Sequence, residues 1–284
     1  INGSADTDVK TASGANLVVN GNLTITNGKL DMNTNTVTLD LEGDFSMAAG
    51  AFDAGTSTTH TVGGSWADIV GSTFTPNNGK FTFEAAAGNT TITTLASFYD
   101  LSIQTLGNSV SAAAALTVDN AFTMEAANTG NFITGSNTVE VTGATNIDGG
   151  ILEIAAGTFD ANGDFDANGS TVTFTDDGTL KLGGNSGGTP DLGTLNDDAG
   201  LANISKGTVI YDNQGGPQTI YDAANLGTGY FNLIIDNDAQ VATCGVALPV
   251  HGNLTIGSLS NPGNLTLNTI GTGVTHLTSV SYTH

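Results

Sequence analysis

The chain repeats itself at a short, nearly constant spacing, and this repeat limits the possible folds more than any other property of the sequence. One module consists of an apolar residue, six further residues, and then two apolar residues that flank a single position. Leu30, Phe52 and Phe74 begin three copies that lie 22 residues apart. The copies are Leu30/Val37/Leu39, Phe52/Thr59/Thr61 (with Thr in the last two places), Phe74/Phe81/Phe83, Phe132/Val139/Val141 and Phe165/Val172/Phe174. A unit this short cannot bury a core by itself, so the units must stack on one another.

A longer repeat contains the short one. An aromatic pair followed by a Leu-x-Ile triplet closes residues 98–103 (FYDLSI) and again residues 230–235 (YFNLII). Apolar residues then follow both segments at the same steps, as Leu116, Val118 and Phe122 in one case and Leu248, Val250 and Leu254 in the other. We therefore interpret residues 1–284 as one continuous body with long repeats at about 1–103, 104–235 and, in part, 236–284.

Short stretches of alternating apolar and polar residues predict β-strands, and Asn-Gly, Asp-Gly and Gly-Gly pairs separate them. Because the pattern recurs by coil and not as mirrored pairs, we predict an all-β fold, a parallel β-helix (β-solenoid) with coils of 20–22 residues. About 13 coils, stacked at about 4.8 Å, would form a rod on the order of 60 Å long. The predicted inward ladders place Leu23 over Phe45 and align Leu30, Phe52 and Phe74. Trp66 falls one residue off this spacing, which predicts a bulge.

Residues 183–203 (GGNSGGTPDLGTLNDDAGLAN) interrupt the repeat. They are rich in Gly and Asp, which predicts a loop that protrudes from the rod.

The charge balance excludes several partners. The formal net charge is −22, and the chain holds five lysines and no arginine. Nucleic acid and anionic membrane surfaces both require clustered cations, so neither is an expected partner. No apolar run is long enough to span a membrane, and the lone Cys244 excludes an internal disulfide. Acidity, few lysines and the absence of disulfides suit a secreted or cell-surface bacterial protein.

Several segments resemble a known type of repeat. They are G-N-L-T-I at 21–25 and 252–256, G-D-F at 43–45 and 163–165, G-S-W at 64–66, S-T-V-T-F at 170–174, and the two aromatic segments at 98–103 and 230–235. Together they are similar to the Gly/Thr/Asn-rich β-solenoid repeats of large bacterial secreted and cell-surface proteins of the adhesin type. The resemblance implies a parallel solenoid that acts in adhesion or as a structural fibre, and it implies no catalytic residues.

One group of acidic residues is a candidate metal site. Asp160, Asp164 and Asp166 lie in the segment DANGDFD, which places oxygen atoms at alternating positions. Hard cations such as Ca²⁺ bind clustered oxygen ligands, so these three residues are the candidate calcium ligands. The alternative is that they are solvated acids of turns, and no cofactor is required in that case.

Three functions remain open at this level. The first is an extracellular or cell-surface structural protein that assembles into homo-oligomeric filaments through strands stacked or exchanged at its open ends, with residues 272–284 as a strand to be donated. The second is an adhesin stalk or a carbohydrate-binding module that contacts surface glycans. The third is a polysaccharide-degrading enzyme, for which acid pairs such as Asp164/Asp166 and Asp176/Asp177 are available. We do not expect an enzyme, because no arginine is present and the lysines and histidines are scattered.

Overall fold

The fold is a right-angled stack of short parallel strands, seen in a computed structural model that describes most of the chain. The described residues are 8–10, 16–35, 37–86, 88–168, 170–184, 189–197, 204–213, 215–221, 229–236, 241–244, 248–257 and 264–267. The stack has about 10 turns of about 21 residues each, with essentially no helix. This confirms the predicted β-solenoid and its coil length, whereas the expectation of about 13 coils is too high.

Most strands belong to two sheets that run along the stack. The 14-stranded sheet contains β2 (Leu17–Val19), β5 (Leu39–Leu41), β8 (His60–Val62), β11 (Lys80–Phe83), β13 (Phe98–Ile103), β15 (Leu116–Met124), β17 (Thr138–Val141), β18 (Thr145–Ile147), β20 (Thr158–Ala161), β21 (Phe165–Asp166), β23 (Thr179–Leu182), β25 (Thr208–Tyr211), β27 (Asn232–Ile235) and β29 (Leu254–Ile256). The nine-stranded sheet contains β3 (Leu23–Ile25), β6 (Phe45–Met47), β9 (Trp66–Asp68), β12 (Thr90–Thr93), β14 (Ser109–Ala112), β16 (Asn131–Ile133), β19 (Ile151–Ile154), β22 (Thr171–Phe174) and β24 (Thr194–Asp197).

Two smaller sheets lie at the two ends of the described chain. The four-stranded sheet contains β1 (Asp8–Lys10), β4 (Lys29–Asp31), β7 (Gly50–Asp53) and β10 (Ser72–Thr75). The three-stranded sheet contains β26 (Gln218–Thr219), β28 (Val241–Cys244) and β30 (Asn264–Leu267), and a single 3₁₀ turn spans Asn33–Asn35. The long strand β15 pairs with β17 through its first half and with β18 through its second half, so the 14-stranded sheet branches there.

Identical spacing aligns the inward side chains into ladders. Leu30, Phe52 and Phe74 are direct neighbours across β4, β7 and β10, and Leu23 pairs with Phe45, as the repeat predicts. Trp66 pairs directly with Phe45 and stacks on its ring at a centroid distance of 3.9 Å, so the predicted bulge at Trp66 is wrong. The coil is one residue shorter than its neighbour, and the corner absorbs this difference.

The short module holds for four of its five copies. In the copy that begins at Phe52, the structure buries His60 and Val62, while Thr59 and Thr61 point outward. The predicted inward Thr59 and Thr61 are therefore wrong by one residue, because the coil between β7 and β8 is longer by one position than in the other copies.

The range 183–203 contains both sheet and undescribed chain. Thr194–Asp197 forms β24, which pairs in register with β22, and Leu192 and Leu195 are fully buried. Residues 185–188 and 198–203 lie outside the described residues, as do residues 268–284 with the strand predicted for donation.

Candidate functional surface

The outward face of the 14-stranded sheet aligns polar side chains along the stack. Strand pairing places one outward residue of each coil directly beside the next, in the file Asp40, Thr61, Thr82, Ser102, Thr123, Asn146 and Asp166. A second file follows the ends of these strands, where each backbone N–H donates to the carbonyl of the preceding coil, at Glu42, Glu84, Gln104, Glu125 and Asp148. We call these two files the acidic face.

Carboxylates repel one another at one end of the acidic face. Burial raises the pKa of Glu84, and the nearby Asp40 and Glu42 carboxylates raise that pKa further. Thr61 Oγ1 donates to Asp40 Oδ1 at 2.9 Å. This end of the face therefore holds negative charge that is relieved by hydroxyl donors and not by a cation.

A lysine neutralises the middle of the acidic face. Lys80 Nζ donates to Glu125 Oε1 at 2.7 Å, although the two residues lie 45 positions apart in sequence. Ser102 Oγ donates to the same oxygen at 2.6 Å. The hydrogen bonds from Lys80 and Ser102 lower the pKa of Glu125. The lysine side chain thus lies along the face and crosses a whole coil, which covers Ser102 completely.

A second charged cluster surrounds Lys181 on β23. Its Nζ lies 2.7 Å from Asp160 Oδ2 on the preceding coil and 3.1 Å from Asp212 Oδ2 on the following coil. Burial raises the pKa of Asp212, and the Lys181 ammonium opposes that rise while Asp160 and Asp236 add to it. Burial disfavours the charged Lys181, but the hydrogen bonds to Asp160 and Asp212 raise its pKa. Lys29 bridges Asp31 and Asp53 in the same manner.

The structure does not bring the three candidate calcium ligands together. Asp160 is engaged by Lys181, and it lies on β20. Asp164 and Asp166 are exposed at β21, and Asp166 Oδ1 accepts the backbone N–H of Asn168 at 2.8 Å. Because a corner separates β20 from β21, alternation in sequence does not place the three carboxylates at one point. Across the described ranges, no group of three His, Cys, Asp or Glu side chains is placed to hold a metal ion.

The acids considered for catalysis are surface residues. Asp176 and Asp177 are both exposed, and the backbone N–H of Asp177 donates to Asp176 Oδ1 at 2.8 Å. Of the four histidines, His60 is fully buried and His251 is exposed, while His276 and His284 lie outside the described residues. The absence of catalysis stays a prediction.

Buried polar groups are the feature that the sequence pattern did not reveal. Leu39 N–H donates to His60 Nδ1 at 3.0 Å, and the His60 ring stacks on Phe81 at a centroid distance of 4.6 Å. Burial lowers the pKa of His60 to about 4, so the imidazole is neutral at pH 7. Asn128 is also buried, and its side chain bonds backbone groups of its own coil and of both adjacent coils, at Thr105, Gly130 and Gly149. Repeated corner geometry, and not a motif, identifies such positions.

Comparison with known proteins identifies no relative. No family model matches the chain, and no curated protein or solved structure is significantly similar to it. Among the described residues, no helix is both long and apolar enough to cross a membrane.

Proposed function

We propose that this chain is a structural protein of the bacterial cell surface or extracellular matrix, and that it builds fibres by adding coil upon coil at the ends of the stack. The observation that carries the proposal is the state of the first and last described coils. Leu17 and Val19 in β2 are only partly buried, and Ile256 in β29 is 37% exposed. The equivalent inward residues of interior coils, such as Leu41 and Phe83, are almost completely buried.

A parallel stack has no intrinsic end. Each strand presents backbone N–H and C=O groups on both sides, and an end strand leaves one side unpaired unless another strand covers it. Covering both the backbone groups and the partly exposed apolar rungs with a further coil would repeat the interactions that hold the interior together. Assembly along the axis therefore requires no new type of contact.

The charge supports thin fibres over bundles. With a net charge of −22, the sides of neighbouring rods repel one another at low salt. Side-by-side packing should therefore require added salt or divalent cations, which screen or bridge the carboxylates. Unchanged bundles in low salt with EDTA would contradict this part of the proposal.

Negative-stain electron microscopy of the purified chain, with and without calcium, tests the proposal. We expect unbranched filaments one solenoid wide, with an axial repeat of one stack. Isolated short rods at every protein concentration would overturn the filament proposal and favour an adhesin stalk or glycan-binding module, for which a glycan screen is the next measurement.

A further inference from the structure

One nine-residue segment occurs three times in the chain. It reads LVVNGNLTI at 17–25, LTVDNAFTM at 116–124 and LPVHGNLTI at 248–256, and the first and third copies agree at seven of nine positions. Each copy places apolar residues at its first, third, seventh and ninth positions. In two of the three copies, the structure shows which strand pairs with the side that faces the preceding coil.

The same type of strand lies on both of those copies. The partner of the second copy is β13, with the sequence FYDLSI, and the partner of the third is the segment Tyr230–Ile235, with the sequence YFNLII. The paired positions also agree, namely Phe98 with Val118, Leu101 with Phe122, Ile103 with Met124, and Tyr230 with Val250, Leu233 with Leu254, Ile235 with Ile256.

A polar contact fixes the register of both pairs. The third residue of the partner strand accepts a hydrogen bond from the backbone of the segment at its sixth position. Asp100 Oδ1 accepts from Ala121 N–H at 3.0 Å, and Asn232 Oδ1 accepts from Asn253 N–H at 3.0 Å. The partner strand is therefore defined as aromatic–aromatic–Asp/Asn–Leu–x–Ile. The sixth position of the first copy is Asn22.

The first copy offers the same edge. Its strands β2 and β3 pair with β5 and β6 on one side, and no strand among the described residues pairs with the other side. Val18 is 57% exposed and Val19 is partly exposed, whereas Val118 in the second copy is fully buried. On the adjoining sheet, β1 already pairs with β4 from this side, so the stack continues past the first copy on that face.

We propose that the open edge of Leu17–Ile25 binds a strand of the pattern aromatic–aromatic–Asp/Asn–Leu–x–Ile, supplied by a neighbouring repeat of this same type. The aromatic pair covers Val19, and the Leu-x-Ile triplet covers Leu23 and Ile25. Asn22 N–H donates to the Asp or Asn of the incoming strand. This inference rests on the proposed function, because it names the strand that joins one unit of the fibre to the next.

The backbone of β3 indicates which residue to change. Leu23 N–H donates to Asp44 O at 2.8 Å and Ala48 N–H donates to Ile25 O at 3.0 Å, so Leu23 and Ile25 direct their peptide groups toward β6. In a parallel pair the intervening residue directs its groups to the opposite side, and Thr24 N–H therefore faces the open edge. Thr24→Pro removes this donor at an edge position where proline is tolerated, and Thr24→Val retains it.

The test is the binding of a labelled peptide with the sequence of residues 97–104, SFYDLSIQ, measured by fluorescence anisotropy on the full chain. We expect saturable binding to the wild-type chain and to Thr24→Val, and at least roughly tenfold weaker binding to Thr24→Pro. A peptide with proline at the Leu101 position lacks the N–H that donates to Asn22 O, and it should not bind. Circular dichroism verifies that both variants are folded.

Two results would overturn the inference. One is no saturable binding to the folded wild-type chain at peptide concentrations up to about 1 mM, the range in which even weak strand addition is visible. The other is equal affinity of Thr24→Pro and Thr24→Val. Because binding is measured on unassembled chain, peptide binding without filaments would contradict only the fibre proposal, and filaments without peptide binding would contradict only this inference.

Discussion

The coils before β13 and the coils after it fill the same type of core with different side chains. In the first region, seven aromatic side chains form one continuous cluster with ring centroids 3.9–6.4 Å apart, namely Phe45, Phe52, Trp66, Phe74, Phe81, Phe83 and Phe98. In the second region, Leu, Val and Ile predominate, and Phe122, Phe132, Phe159 and Phe165 are spaced among them. We call these the aromatic region and the aliphatic region.

The two regions also differ in regularity. In the aliphatic region, Phe132, Leu152 and Val172 pair in succession at steps of 20 residues. In the aromatic region, Phe45 to Trp66 is 21 residues and Trp66 to Ile92 is 26 residues. The four-stranded sheet also ends there, at β10. Large rings thus provide volume where coil lengths change, whereas uniform coils need only aliphatic side chains, and tight interlocking limits both.

The largest expected effect is in the aromatic region. Trp66 is fully buried against five phenylalanine rings, so Trp66→Ala should cost about 4 kcal/mol of unfolding free energy. Leu152→Ala in the aliphatic region should cost about 3 kcal/mol, because less volume is removed. Urea unfolding followed by circular dichroism measures both. A smaller loss for Trp66→Ala than for Leu152→Ala would show that the aromatic region collapses around cavities.

The second effect concerns the histidine buried in the aromatic region. The folded pKa of His60 is about 4, below the unfolded value of about 6.5, so the unfolded chain binds a proton first as the pH falls. The neutral imidazole is fully compatible with the fold above pH 6.5, and stability is lost as the pH falls from 6.5 to 4. Relative to His60→Leu, the wild type should lose about 3 kcal/mol over that window.

Denaturant titrations at pH 7 and pH 4 measure this difference between the two chains. Comparing the wild type with the variant cancels the titration of the many carboxylates, which both chains share. The exposed His251→Leu is the matched control and should show little pH-dependent difference from the wild type. An equal pH dependence of His60→Leu and the wild type would contradict the burial of a neutral imidazole.

The third effect concerns a corner of the aliphatic region. A Cβ atom at Gly163 would overlap the backbone of Gly143 on the preceding coil, whereas a Cβ at Gly21 would meet nothing within 4 Å. Gly163→Ala should therefore cost about 2 kcal/mol, because the backbone of two coils must move apart. Gly21→Ala should be nearly neutral. Thermal unfolding of the two variants checks this, and equal melting temperatures would mean that the corners are not closely stacked.

The smallest effect concerns the charged cluster around Lys181. Lys181→Met leaves Asp160 and Asp212 without their shared cation, which should cost about 1 kcal/mol in low salt and less in high salt. Unfolding at low and high salt concentrations measures this. A loss that is independent of salt would indicate that packing of the lysine stem, and not its charge, stabilises the coils.

The repeat predicted the fold and several core contacts because its spacing reports directly which residues stack. Leu30, Phe52 and Phe74 are an example, since three equal intervals leave one possible register. The prediction failed where a coil gains or loses a single residue, as at Trp66 and at His60. A corner absorbs such a change without a clear mark in the sequence, while the alternation on the strand continues.

The surface could be predicted less well. Asp160, Asp164 and Asp166 appear as one acidic group in the sequence, but a corner divides them, and Lys181 from the next coil contacts the first. Contacts such as Lys80 with Glu125 join residues two coils apart. They depend on the exact register of three coils, which no local pattern contains.

X-ray diffraction from oriented filaments tests the central claim most directly, because coils that continue from one unit to the next must keep one stacking direction. The account predicts a strong reflection at about 4.8 Å on the meridian, parallel to the filament axis, since strands run across the axis and coils stack along it. A reflection at that spacing on the equator would mean that units associate side by side, and it would contradict assembly through the ends of the stack.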